Sequence, residues 1–217
     1  MTYVRETIEN AAVGVAVLSD PQAFGLFTKQ GIAAAIWQRE VPEDFQTWID
    51  KLPVTNLPAA RVTTRIDVLR DTIESIFADA EIAQTVQGKY LIDDTVMLAQ
   101  NFSTLMGVQQ LRLRFDVIEN DACRKFHIDA VSARLICTYR GTGTQYGIST
   151  DGSEPKRIFS VPTGAPMVLR GTKWPEPPAS GLLHRSPPIE GTGMTRLVFV
   201  VDSIADDFDD AFDVRRI

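Results

Sequence analysis

The hydrophobic pattern of the chain changes its period near Gly107. From Leu111 to Val117 apolar and charged residues alternate strictly, which predicts a strand with one buried face. Shorter apolar segments follow, divided by turns rich in glycine and proline, and we interpret these segments as strands: 125–129, 133–139, 157–161, 167–170, 181–184 and 196–201. Many short strands joined by turns favour an antiparallel sandwich or barrel.

The first half of the chain has a pattern more typical of helices. Between Ile66 and Phe77 apolar residues recur every three or four positions, which predicts an amphipathic helix with Thr63 or Thr64 as its N-cap. A second helix is expected between an N-cap at Asp94 and a C-terminal glycine at Gly107. The apolar run 32–37 fits either a strand or a buried helical turn.

Together the two patterns predict an α+β fold. Residues 1–107 form a mostly helical N-terminal part, residues 108–205 form a core of strands, and residues 206–217 form an acidic, solvated tail. We expect the two larger parts to make one integrated domain, because 217 residues fit a single large domain.

Charge and cysteine content exclude several classes of function. The net charge of −6 argues against a nucleic-acid partner. The two cysteines, Cys123 and Cys137, do not form a disulfide framework, and without a C-x-x-C motif they do not indicate a thiolate zinc site. The apolar run 11–18 is too short to span a bilayer and follows acidic residues, so it is a poor signal peptide. We expect a cytoplasmic protein without a membrane partner.

The candidate chemistry centres on the two histidines of the chain. His127 and Asp129 are two positions apart in a predicted strand, so they project an imidazole and a carboxylate to the same face. His184 lies in a second apolar segment, and if the fold brings the segments together, the three side chains form the facial triad of a non-haem Fe(II) site. The same ligands also suit zinc. The alternative is that both histidines are ordinary core residues.

An anion-binding cation would complete such a site. Arg196 begins the last apolar strand, where its guanidinium can pair bidentately with a carboxylate. Arg185, directly beside His184, competes for this role. Arg134 and Tyr139, on the strand that follows the first two ligands, are further candidates.

The order His127-x-Asp129, His184, Arg196 resembles the pattern of the 2-oxoglutarate/Fe(II)-dependent oxygenases. The resemblance covers roughly residues 111–202 and implies a double-stranded β-helix, a jelly roll of the cupin type, as the metal-binding core. It also implies that the two histidines and Asp129 are catalytic ligands of Fe(II), and that Arg196 binds the distal carboxylate of 2-oxoglutarate. Some branches of these enzymes place a serine two residues after the arginine, where this chain has Val198.

A second resemblance spans nearly the whole chain. The segments 36–39, 126–129, 137–144 and 184–188 are similar to a bacterial family known as domain of unknown function 1826. Members of that family are often linked by gene neighbourhood to zinc-responsive GTPase metallochaperones, which implies a context of metal homeostasis. The alternative function is therefore a cupin-like metal-binding protein without turnover, with a metallochaperone GTPase as a functional partner. The substrate, a small molecule or a protein, is not specified by either resemblance.

Overall fold

The computed structural model describes residues 10–121 and 123–204, and within them it contains ten strands and three α-helices. The strands, numbered in chain order, are β1 (Gly14–Leu18), β2 (Ile32–Trp37), β3 (Ala60–Arg65), β4 (Gln110–Ile118), β5 (Ala133–Arg140), β6 (Gln145–Ile148), β7 (Phe159–Ser160), β8 (Pro166–Arg170), β9 (Leu182–Arg185) and β10 (Arg196–Ile204). The helices are α1 (Glu43–Lys51), α2 (Leu69–Asp79) and α3 (Val86–Met106).

The strands form two sheets. The major sheet has the order β1-β2-β8-β5-β10-β4-β3, and the minor sheet has the order β7-β6-β9. All neighbours pair antiparallel except β1 and β2, which are parallel. One face of the major sheet is covered by the helices, and the other face packs on the minor sheet. The predicted α+β fold with a jelly-roll core is confirmed.

Alternation along the central strands assigns each side chain to one of these two faces. In β5, Leu135, Cys137 and Tyr139 join the core under the helices, whereas Ile136 joins the core between the sheets. Arg134 has the same parity as Ile136, so it also faces the space between the sheets.

Aromatic residues hold the helical layer on the sheet. Phe77 of α2 packs edge-on against Phe115 of β4, with ring centroids 5.4 Å apart, and Phe115 stacks on Phe199 of β10 at 4.7 Å. Each of these side chains is buried, and burial of one such ring stabilises the fold by about 1.5–3 kcal/mol. The opposite face of the major sheet is the one that faces the candidate ligands.

The N-terminal part contains more strand than the sequence predicts. Residues 32–37 form β2, and β1, β2 and β3 all belong to the major sheet, where β3 pairs with β4 across the predicted division at residue 107. Within the described residues, strands from before and after residue 107 therefore belong to the same sheet. The predicted tail, residues 206–217, and residue 205 lie outside the described residues.

Both predicted N-caps are wrong. Thr63 and Thr64 lie in β3, and a short 3₁₀ turn over 66–68 precedes α2. Asp94 lies inside α3, whose N-cap is Thr85: its hydroxyl oxygen accepts a hydrogen bond from the Gly88 amide at 2.9 Å. Gly107 does end this helix, in the left-handed conformation that glycine adopts without strain.

The later strands follow the sequence pattern more closely. The predicted strands near 111, 133, 167, 181 and 196 are confirmed with small shifts of their ends. The predicted strand 157–161 shrinks to Phe159–Ser160, and β6 was not predicted. In place of the strand 125–129 there is one isolated bridge at His127. Among the described helices, none combines the length and apolar character needed to cross a membrane.

Candidate metal centre

The two histidines are neighbours across a backbone bridge. The His127 amide donates to the His184 carbonyl, and the His184 amide donates to the His127 carbonyl, both at 3.0 Å. This antiparallel bridge extends the minor sheet by one residue beyond β9 and places the two imidazole centroids 4.5 Å apart. The fold therefore brings the two histidine segments together, as the metal-site hypothesis requires, although the segment around His127 is not a regular strand.

Asp129 completes the cluster. Its Oδ2 lies 3.0 Å from Nε2 of His184, and its Oδ1 lies 3.5 Å from Nε2 of His127. The ligand atoms that these three residues can offer all lie within 4.8 Å of one another. Two imidazoles and one carboxylate grouped in this way match the donor set of the facial triad, which leaves further coordination positions open.

The backbone after Asp129 is fixed by a close approach to the end of β8. The Thr172 amide donates to the Asp129 carbonyl at 2.9 Å, and the Gly171 amide donates to the Ser132 carbonyl at 2.9 Å. A Cβ built on Gly171 would lie 1.9 Å from the Val131 carbonyl oxygen, so no other residue fits there without a shift of the backbone. Gly171 thus belongs to the support of the cluster, a role that the sequence analysis missed.

The polar atoms of the cluster are arranged as a metal requires. Nδ1 of His127 lies 2.8 Å from the Lys125 carbonyl oxygen, so it carries the proton and leaves the lone pair on Nε2. Oδ2 of Asp129 is buried, and its close polar neighbour is Nε2 of His184 at 3.0 Å. A cation between the buried carboxylate and the two imidazoles would satisfy these atoms, so the residues present fit a divalent metal ion.

The protonation states of Asp129 and His184 also suit metal ligation. Burial lowers the pKa of His184, which keeps its imidazole neutral. Burial tends to raise the pKa of Asp129, but contacts with His127, His184 and Arg134 outweigh it and hold that pKa well below its usual range. A carboxylate and neutral imidazoles are the forms that bind metals. Contact with Asp129 raises the pKa of His127, so at this ring a metal ion would compete with a proton.

Arg134 supports Asp129 and is not available for another anion. Its Nη1 lies 2.5 Å from Oδ1 of Asp129, while Nε and Nη2 donate to the two carboxylate oxygens of Asp202 at 2.6 and 2.8 Å. The two carboxylates occupy the guanidinium of Arg134, so the structure gives no support to its predicted anion-binding role. Asp202, which the sequence analysis missed, is the register partner of Arg134 across β5 and β10.

Tyr139 lies on the wrong face of the major sheet for its predicted role. Its hydroxyl donates to Oδ2 of Asp94, whose two carboxylate oxygens also accept hydrogen bonds from Arg39 at 2.5 and 2.6 Å. This network is buried under the helices, with the sheet between it and the histidines. Tyr139 cannot contact an anion in the metal-site cavity.

Arg196 is the candidate that the structure leaves free for an anion. Its side chain is only 1% exposed, and its guanidinium donates to the Thr142 carbonyl at 2.7 Å, to the Ser186 hydroxyl at 3.1 Å and to the Thr138 hydroxyl at 3.4 Å. No carboxylate in the described residues pairs with it, and burial lowers its pKa to about 10. Arg185 instead lies over the Phe126 ring, 4.4 Å from its centroid, and donates to Gln145.

A single cavity joins the cluster to Arg196. It has a volume of about 740 Å³, lies between the sheets, and is lined by all three candidate ligands, Arg196 and Arg185. This volume is in the range of roughly 300–1,000 Å³ that is usual for small-molecule sites. The cavity therefore has room for an organic acid beside the metal cluster.

The sequence as a whole matches one family model. The model of the family described as protein of unknown function (DUF1826) covers residues 19–202. The chain belongs to this DUF1826 family. No curated protein matches the chain in sequence.

Solved structures show the fold of this DUF1826 protein. Dioxygenase for auxin oxidation 1 from Arabidopsis thaliana, solved as a complex with 2-oxoglutarate, has a TM-score of 0.52 at 9% identity, with 90% of this chain and 94% of that chain covered. The rice dioxygenase for auxin oxidation has a TM-score of 0.49 at 10% identity, with 88% and 83% covered. At such identities the first likeness establishes a shared fold: the double-stranded β-helix of the 2-oxoglutarate-dependent dioxygenases.

Proposed function

We propose that this protein is an Fe(II)- and 2-oxoglutarate-dependent oxygenase. His127, Asp129 and His184 would hold the iron, and Arg196 would bind the distal carboxylate of 2-oxoglutarate. The observation that carries the proposal is the buried guanidinium of Arg196, which opens onto the same cavity as the three ligands and has no acidic partner in the described part of the chain.

A buried cation without a counter-ion is energetically unfavourable. Desolvation of a charged side chain costs several kcal/mol, and the neutral oxygens around Arg196 compensate only in part. A bound carboxylate would supply the missing negative charge in bidentate geometry. The hydroxyls of Ser186 and Thr138, which accept from Arg196, keep hydrogens that can be donated to the same anion.

The residues around the cluster prepare it for this cofactor pair. Arg134 keeps Asp129 ionised and fixed, and the Lys125 carbonyl sets the tautomer of His127. Ile136, Val198 and Val200 give the cavity an apolar wall, which limits water around the reacting groups. Fe(II) with a bound 2-oxo acid supplies the activation of oxygen that oxidises a substrate.

The alternative function is metal binding without turnover, as a buffer, a sensor or the partner of a metallochaperone GTPase. Such a protein needs the two histidines and Asp129 but has no need of an unpaired arginine beside them. The burial of Arg196 therefore favours the oxygenase. No finding favours zinc over iron, and the GTPase partner and the cytoplasmic location stay predictions.

An anaerobic titration tests the proposal. Metal-free protein is titrated with Fe(II), with and without 2-oxoglutarate, and the visible charge-transfer absorption of an iron-bound 2-oxo acid is recorded. We expect the band only when both are present, and we expect Arg196→Met to need far more 2-oxoglutarate to reach it. Tight Fe(II) binding with no response to 2-oxoglutarate would establish the alternative function instead.

A further inference from the structure

The cavity extends beyond the metal cluster into a basic lobe between β3 and β4. Ala59, Ala60, Arg61, Arg114 and Asp116 line this region, which we name the β3–β4 lobe. Arg61 and Arg114 are directly paired across the two antiparallel strands, on the face that looks toward the minor sheet. Like charges placed opposite each other on a sheet are destabilising, so a bound anion would stabilise this pairing.

Arg114 is the less satisfied of the two arginines. Its Nε is buried and forms no hydrogen bond within the described part of the chain, and its nearest carboxylate oxygen, on Asp116, lies 3.8 Å from Nη1. Burial, together with the charge of Arg134, lowers the pKa of Arg114. No carboxylate of the described residues forms an ion pair with Arg61, which is exposed at the rim. The β3–β4 lobe thus presents donors that the protein itself does not use.

The whole cavity is positive although the chain is acidic. The described residues that line it include five arginines: Arg61, Arg114, Arg134, Arg185 and Arg196. Its carboxylates are three: Asp116, Glu119 and Asp129. Since the whole chain carries −6, this local excess of 5 − 3 = +2 is a feature of the cavity and not of the surface in general. A divalent metal and a dicarboxylate at Arg196 would cancel each other, and Arg134 is paired with Asp202 outside the lining. The β3–β4 lobe itself, with Arg61, Arg114 and Asp116, keeps an excess of 2 − 1 = +1.

We propose that the β3–β4 lobe binds an anionic group of the substrate, a carboxylate or a phosphate monoester, with Arg114 as the main contact and Arg61 at the rim. This inference rests on the proposed oxygenase function, because only an enzyme has a substrate. The anion-binding property itself depends only on the β3–β4 lobe. Arg114 is accordingly a specificity-determining residue, and its loss should act on substrate affinity and not on the metal or on 2-oxoglutarate.

The test uses matched pairs of small probes. Protein loaded with Fe(II) under anaerobic conditions and saturated with 2-oxoglutarate, so that Arg196 is occupied, is titrated calorimetrically with benzoate and benzamide, and with phenyl phosphate and phenol. The same titrations are made on Arg114→Gln, Arg61→Gln and Arg112→Gln. Arg112 is a matched control, because it lies two residues from Arg114 on the same strand face but does not line the cavity.

We expect at least one of the two anions to bind, and its neutral match to bind at least tenfold more weakly. Arg114→Gln should weaken the binding of that anion tenfold or more. Arg112→Gln should change the affinity less than twofold. The pair that binds distinguishes a carboxylate substrate from a phosphate monoester. Failure of both anions to bind, equal binding of the neutral match, or an unchanged affinity in both Arg114→Gln and Arg61→Gln would overturn the proposal. The charge-transfer band with 2-oxoglutarate is recorded on every sample, so that failure of the oxygenase proposal is seen separately.

Discussion

Nη1 of Arg134 lies 2.5 Å from Oδ1 of Asp129, while the rest of the same guanidinium is held by Asp202. Arg134 therefore fixes the orientation of the carboxylate proposed as a metal ligand, and Asp202 fixes the orientation of Arg134. Such support is usual around metal ligands, and it leaves Oδ2 of Asp129 free to meet the ion.

Removal of this support should weaken metal binding without abolishing it. For Arg134→Gln we expect an Fe(II) affinity about 10–100-fold lower, the usual effect of losing an outer partner of a ligand. Anaerobic equilibrium titration measures it. Arg140→Gln is the control, because Arg140 is on the same strand but donates to the Leu52 carbonyl. Equal losses in the two variants would mean that Arg134 acts only through the stability of β5.

Loss of a ligand should have a larger effect. For His184→Ala we expect no stoichiometric Fe(II) binding, because one of the three donors is gone and a single imidazole and a single carboxylate bind a divalent ion only weakly. Metal analysis after gel filtration measures the stoichiometry, and circular dichroism checks that the fold is retained. Stoichiometric iron in a folded His184→Ala protein would refute the assignment of the cluster.

Arg196→Met separates cofactor binding from stability. We expect 2-oxoglutarate binding to weaken by about 2–5 kcal/mol, which is roughly 30-fold or more, because a buried charge pair loses one partner. We also expect the metal-free protein to melt no lower than the wild type, since a buried guanidinium without a counter-ion is replaced by an apolar side chain. Calorimetric titration and thermal melting measure the two effects.

Arg185→Met is the control for that variant, and it should leave 2-oxoglutarate affinity nearly unchanged. If Arg185→Met instead caused the loss of affinity for 2-oxoglutarate, the assignment of the anion site to Arg196 would be refuted.

The buried network of Arg39, Asp94 and Tyr139 under the helices should affect the stability of the fold and not the metal site. Asp94→Ala leaves Arg39 buried and unpaired, so we expect the free energy of unfolding to fall by about 3–5 kcal/mol. The control is Asp93→Ala, one residue away, whose exposed ion pair with Arg70 contributes about 0–1 kcal/mol. Urea denaturation measures the free energy of unfolding of both variants. Because Tyr139 belongs to this network, Tyr139→Phe should leave the affinity for 2-oxoglutarate unchanged.

The two cysteines should differ sharply in reactivity. Cys123 is exposed, whereas burial raises the pKa of the Cys137 thiol to about 12. At pH 8 roughly one in ten thousand Cys137 side chains would be a thiolate, so the native protein should be alkylated by iodoacetamide at Cys123 alone. Peptide mass spectrometry identifies the modified residue, and alkylation of Cys137 before unfolding would contradict the burial.

Part of this site is readable from the sequence because it depends on local spacing. The strict alternation in β4 and the apolar run of β10 indicate their strands, and His127-x-Asp129 places two donors close together wherever the backbone is extended. The same parity rule also separates Arg134 from Tyr139: positions of opposite parity in one strand face opposite sides, so at most one of them can face the site.

The parts that sequence does not reveal depend on contacts between distant segments. The sequence suggests a helix cap at Asp94 because acids are common at that position, but Asp94 lies in the middle of α3 and binds Arg39, which is in the connection after β2. Residues 63–66 continue the helical spacing of apolar residues, but they form the end of a strand and the start of a turn. The pairing of β3 with β4 overrides the local propensity. Asp202 gains its role only through the register of β10 against β5.

The bridge between His127 and His184 has a consequence for the stability of the protein. The two imidazoles meet only after the segments that carry them have exchanged both backbone hydrogen bonds, which requires the minor sheet to be in place. A chain that has not closed this bridge lacks the pair, and an ion that binds only the closed form would stabilise that form by an amount that grows with the logarithm of the free ion concentration. If the proposed metal binds there, the stability of the folded protein would therefore depend on the supply of the ion.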